Sequence, residues 1–149
     1  MNIAYDAAPL ILKNKTGIAY CEEGIVSALM LKYPDHNYIP QTIKSRPVRI
    51  VNRILPMPYS MIFPQRVDVT HFFNYLVPPG VRSKVITTVH DLAYLVFPET
   101  VRYRTRKLLD LSLQKSIERA DRIMAPSSFT KSEIVKYFEV DENKIFVAE

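Results

Sequence analysis

An α/β domain built on a mostly parallel sheet is the fold class this sequence predicts, and three observations predict it. Short apolar or β-branched runs alternate along the chain with stretches whose apolar residues recur every three or four positions. One of the runs, Lys84 to Val89, is rich in β-branched residues, as in a central parallel strand. The chain has 149 residues, 48% hydrophobic and 23% charged, which is the balance of one globular domain able to bury roughly 68–70% of its unfolded surface.

The elements follow in order. Asn2 to Tyr5 reads as a short buried strand, and a loop through Pro9 leads to Thr16-Gly17. A helix begins there, with Ile18, Cys21, Ile25, Leu29 and Tyr33 on one apolar face. Pro34 ends it, because the residue before proline is pushed out of the helical region. His36 to Ile39 is a second strand. Seven of the eleven prolines lie between Pro40 and Pro79, so that stretch is expected to consist of loops and short elements. Val67 to His71 and Lys84 to Val89 are strands that run into histidines. Glu99 to Ala120 is the longest helical candidate, with Leu109, Leu113 and Ile117 on one stripe, Val101, Leu108 and Leu111 beside it, and Arg102 and Arg106 on another face. Arg122 to Ala125 is a strand. Ser127 or Ser128 then caps a helix, with Thr130 and Glu133 as a capping-box candidate and Phe129, Ile134, Val135 and Phe138 on its buried side. Lys144 to Val147 is the last strand.

Charge and composition narrow the function. The net charge is +5, yet between Arg46 and Lys107 ten Lys/Arg face only Asp68, Asp91 and Glu99. The basic middle favours anionic partners: phosphorylated small molecules, an acidic membrane surface or nucleic acid. No recognised nucleic-acid module is present, so no nucleic acid is expected. Cys21 is the single cysteine, which excludes an intrachain disulfide and a cysteine metal cluster and agrees with a reducing compartment. The start Met1-Asn2-Ile3-Ala4-Tyr5-Asp6 has neither the basic residues nor the long apolar run of a secretory signal, and a cytoplasmic location is the expectation.

In parallel sheets ligands bind beyond the C-terminal strand ends, so Asp6, His71, His90 and Pro126-Ser127 become the candidate site by position. Thr16-Gly17 stands where backbone N–H groups and a helix dipole meet a phosphate, although a plain turn glycine has the same look and no GxGxxG accompanies it. His90-Asp91 ends a strand, where an imidazole can donate to a sugar hydroxyl or move a proton near neutral pH. His71 ends the other apolar strand. A metal on these residues is the weaker reading, since their spacing is not diagnostic. Arg102, Arg104, Arg106 and Lys107, with Tyr94, Leu95 and Phe97 expected to be exposed before them, suit a membrane surface, a phosphorylated acceptor or a solvated helix face equally. Ser127-Ser128 lacks the GxSxG elbow of a serine hydrolase and reads as a cap.

The run Val85-Ile86-Thr87-Thr88-Val89-His90-Asp91-Leu92-Ala93-Tyr94-Leu95-Val96-Phe97-Pro98-Glu99 resembles the TVHDLAYLxFPE segment of family 4 glycosyltransferases. Thr16 to Tyr20 is similar to that family's first glycine loop, although Ile18 stands where a second glycine is common. Ala120 to Ser128 and Lys144 to Val147 are similar to its later strands, whereas the segment from Gln41 to Arg66 resembles nothing specific. The resemblance implies a Rossmann-like domain with helices on both faces of a mostly parallel sheet. Residues 1–149 would form the acceptor-side, N-terminal half of a GT-B fold whose donor-binding C-terminal domain is absent.

It further implies a retaining transfer from a nucleotide sugar to a glycan or lipid-linked acceptor, as in polysaccharide biosynthesis. No cofactor and no metal are implied, the nucleotide sugar being a substrate. His90 and Asp91 would be the catalytic pair, and Gly17 and His90 would touch the donor. His71, Asn74, Tyr94 and Arg104 would line the acceptor side. The half alone is expected to be inactive, to touch a membrane peripherally, and to expose apolar surface through which it self-associates. The alternative is a stand-alone α/β module that binds a phosphorylated ligand without catalysis.

Overall fold

The computed structural model describes residues 1–43, 45 and 57–148. Two compact units make up the chain: Met1–Phe73 with Pro78–Lys84, and Asn74–Val77 with Val85–Glu149. Six strands form the sheet, ordered β2-β1-β3 in the first unit and β4-β5-β6 in the second. Every pairing within a unit is parallel, and helices connect the strands, so the α/β, Rossmann-like class holds.

In the first unit, β1 (Asn2–Asp6) pairs with β2 (Asn37–Gln41) and with β3 (Val69–Phe72), so that Ala4 stands beside Ile39 and Thr70. Pro40 is tolerated in β2, the terminal strand, where a missing backbone donor does least harm. Helix α1 (Gly17–Lys32) crosses from β1 to β2, and the single-turn α2 (Tyr59–Ile62) precedes β3. Tyr5, Ala19, Val26, Phe72 and Phe73 belong to the core. The buried face of α1 is Ala19, Glu22 and Val26. Sequence periodicity pointed instead to the neighbouring stripe of Ile18, Cys21, Ile25 and Leu29, which is only half-buried, with Tyr33 exposed. Apolar residues surround most of this helix, so periodicity alone does not select the inner face.

In the second unit, β4 (Lys84–Thr88), β5 (Arg122–Ala125) and β6 (Ile145–Val147) run parallel. Asp121 fixes the start of β4 twice: its carboxylate accepts from the Val85 N–H at 2.8 Å and its own N–H donates to the Val85 carbonyl at 2.8 Å. Between β4 and β5 lie α3 (Ala93–Val96) and α4 (Tyr103–Arg119); α5 (Ser128–Phe138) joins β5 to β6. Val89, Leu113, Ile117, Ile123 and Ile134 are its core.

Three details differ from the sequence reading. The stretch expected to be one helix from Glu99 to Ala120 is a 3₁₀ turn over Pro98–Thr100, an extended Val101-Arg102 link, and then α4. Phe129, expected on the buried side of α5, is 72% exposed because it occupies the first turn, ahead of the face formed by Thr130 and Ile134. Ser127 caps α5 by accepting from the Thr130 N–H at 3.1 Å, with no part for Glu133. The loops expected over residues 46–56, and the side chains of Leu108 and Leu111, lie outside the described residues.

Candidate functional site

The best-defined polar constellation in the second unit stands at the end of β4. The strand's pairing continues one residue further than its formal limit, as Val89 N–H donates to the Met124 carbonyl at 3.0 Å. His90 follows directly after this bond, and it is half-buried. Its carbonyl accepts from the Thr130 hydroxyl at 3.4 Å, which ties the strand end to the first turn of α5.

Asp91 turns the chain. One carboxylate oxygen accepts from the Ala93 N–H at 2.9 Å, a local bond that starts α3. The other accepts from the Tyr75 hydroxyl at 3.2 Å. Tyr75 also sets its ring edge-on to His90, with centroids 5.8 Å apart and planes at 68°. The phenol is driven well above its usual range, first by burial and then by the Asp91 charge, so it stays protonated and remains a donor. Tyr75 holds a left-handed backbone, φ 42°, a conformation that costs a bulky residue of order 1–2 kcal/mol. Two bonds anchor the segment behind it: the Val77 N–H donates to Ser116 Oγ at 2.9 Å, and Arg119 Nη1 donates to the Val77 carbonyl at 2.8 Å.

Beside this corner lies an apolar cavity of about 280 Å³, bordered by Asp91, Val96, Phe97, Phe129, Thr130 and Glu133. Phe97 is 57% exposed at its edge.

The predicted site residues divide between the units. In the second, His90 and Asp91 are adjacent and share Tyr75 as a neighbour. Asn74 is exposed, and its carbonyl accepts from the Leu76 N–H. Arg104 is exposed in the first turn of α4. Tyr94, which the sequence reading placed on the surface, is 3% exposed: α3 is a single turn, and this is the one side chain of the turn that the core takes in. In the first unit, His71 is buried in β3 and stacks on Phe73 with ring centroids 3.8 Å apart. Gly17 is the exposed first residue of α1, and a Cβ added there meets nothing within 4 Å, so the fold itself does not require glycine.

Two residues escaped the sequence reading. Tyr75 was signalled only by its nearness to His71 and Asn74. Glu22 is more surprising. It is fully buried on α1, and neither carboxylate oxygen finds a partner among the described residues. Burial raises its pKa to about 8, with a further push from the charge of Asp6, so at neutral pH it is mostly protonated. Asp6 is itself raised by burial, against the stabilising Ala8 N–H that its carboxylate accepts at 3.1 Å. The available signal was the pair Glu22-Glu23 inside an otherwise apolar helix.

Comparison with known proteins agrees with the motif at the β4 end. No curated protein matches the chain. The family model described as Glycosyltransferase Family 4 matches residues 28–149, a span that includes the His90-Asp91 corner and leaves Gly17 outside. The chain belongs to Glycosyltransferase Family 4.

Proposed function

We propose that this chain is the acceptor-side half of a retaining glycosyltransferase, which moves a sugar from a nucleotide sugar to a glycan or lipid-linked acceptor and needs a donor-binding domain to do so. One observation carries the reading: the imidazole of His90 emerges from the end of β4 on a loop braced by Asp91, Tyr75 and Thr130. A braced donor is what sugar transfer asks for, since a hydroxyl beside the reacting carbon must be held while charge builds on the leaving phosphate.

His90 is the group that hydrogen-bonds the donor sugar, and Asp91 holds the loop in place rather than acting as a base. Both Asp91 oxygens are already engaged, one by the Ala93 N–H and one by the Tyr75 phenol, which favours that division of labour. The apolar cavity next to the corner suits the lipid portion of an acceptor, and the exposed Arg102, Arg104, Arg106 and Lys107 suit its phosphate or an anionic membrane surface. Among the described residues no helix is long and apolar enough to cross a membrane, so any membrane contact of these helices is peripheral.

The test is turnover of the protein extended through its whole reading frame, with and without His90→Ala, over a panel of nucleotide sugars. The expected result is a loss of about 100-fold or more with an unchanged melting temperature. A variant that keeps the parent's rate removes the reading. Inversion at the anomeric carbon of the product removes its retaining part.

A further inference from the structure

A second cavity lies in the first unit, in a region to which the transfer reading gives no task. Its volume is about 420 Å³, within the range of sites that take small molecules. Its lining is mostly polar and includes Ser60, Gln65, Arg66, Arg82 and Ser83. Among the described residues neither Arg66 nor Arg82 meets a carboxylate or any other partner. The one acid in the lining, Asp68, is engaged, one oxygen accepting from the Asn2 N–H at 2.7 Å. The lining is therefore cationic, with two arginines against one acid.

The walls are built rather than incidental. The α2 turn that supplies Tyr59 and Ser60 is pinned by two backbone bonds, Tyr59 N–H to the Pro79 carbonyl at 2.8 Å and Ser60 N–H to the Gly80 carbonyl at 3.1 Å. Gly80 has φ 78°, and a Cβ there would lie 2.7 Å from Pro58 Cβ, so only glycine allows this close approach. Tyr59 donates to Gln41 Oε1 at 2.6 Å, and the hydroxyls of Ser83 and the buried Thr70 bond each other at 2.7 Å. A cavity held this way is formed before any ligand arrives, which lowers the entropic cost of binding.

We propose that this cavity binds a phosphomonoester on a small molecule. Planar guanidinium forks match the paired oxygens of a phosphate, Ser60 and Gln65 supply neutral donors, and the volume leaves room for a sugar-sized body. The proposal does not depend on sugar transfer at His90.

The experiment is titration of the isotope-labelled 149-residue chain with inorganic phosphate, glucose 6-phosphate and glucose at matched ionic strength, followed by amide NMR shifts. Saturable shifts at Ser60, Gln65, Arg66 and Ser83 are expected with the two phosphorylated probes. Tighter binding of glucose 6-phosphate than of inorganic phosphate is expected, and equal or weaker binding would overturn the assignment to a phosphomonoester. Arg66→Gln and Arg82→Gln, made singly and together and melted beside the parent, are each expected to weaken binding about tenfold, the scale of one charge-assisted contact. If the double variant melts early, the single variants decide. Failure to saturate, glucose binding as tightly as glucose 6-phosphate, or folded variants that bind like the parent would each overturn the proposal.

Discussion

Two strand ends in this protein carry the same local device and put it to different use. Asp6 closes β1 and Asp91 follows β4, and each accepts from the N–H two residues on, at 3.1 and 2.9 Å. Beyond that bond their surroundings diverge. Asp91 has a phenol on its second oxygen. Asp6 lies near enough to the buried carboxyl of Glu22 for its charge to raise that group's pKa. An aspartate turn therefore sets the path of the backbone, while the partner brought in by a distant segment determines whether the corner is a satisfied network or a stressed one.

The largest expected effect tests the satisfied corner. In the two-domain enzyme proposed above, His90→Ala should lower turnover about 100-fold or more while the urea midpoint stays put; comparable activity would mean that the corner is only structural.

Next comes the stressed corner. A carboxyl whose pKa is about 8 in the folded chain against 4.5 unfolded binds more protons when folded, so its contribution to stability is greatest at low pH and is lost as pH rises from about 4.5 through about 8. Glu22→Gln, which carries no charge to bury, should therefore leave stability at pH 5 nearly unchanged and raise it at pH 8 by about 1–3 kcal/mol. Urea unfolding at the two pH values gives the answer, and a variant whose gain is the same at both would show that Glu22 is not protonated in the folded state.

A smaller change is expected from Tyr75→Phe. It deletes one hydrogen bond to Asp91 and should cost about 0.5–1.5 kcal/mol, with the ring still packed against His90. A neutral result in thermal melts would mean that water replaces the phenol. The smallest effect belongs to Asp6→Asn, which removes one of the two causes acting on Glu22 and should bring down the upper end of the pH range over which stability falls. If instead the whole dependence vanished, Asp6 rather than burial would dominate.

The strands were largely legible because β-branched runs bounded by turn residues have few other readings: Arg122 to Ala125 agrees with β5 to the residue, and β1, β3, β4 and β6 agree within one or two. Helix faces were less so. Alanine and glutamate carry weak or misleading hydrophobic signals, which is why the Ala19, Glu22 and Val26 face of α1 went unseen. His90 and Asp91 were found because motif and strand-end position coincide. Tyr75 was not, because its bond to Asp91 spans 16 residues and depends on a left-handed backbone that no local pattern announces. The cavity of the first unit draws Ser60 and Gln65 together with Arg82 and Ser83 from separate segments, a grouping that only the folded chain creates.

The double anchor on Val77 has one more consequence. Because Ser116 and Arg119 near the end of α4 grip both backbone groups of that residue, Tyr75 is two positions away from a fixed point on the helix. Twisting or sliding α4 along its axis would drag the phenol with it. The position of the phenol is thus set from the end of the long basic helix as well as by its own loop.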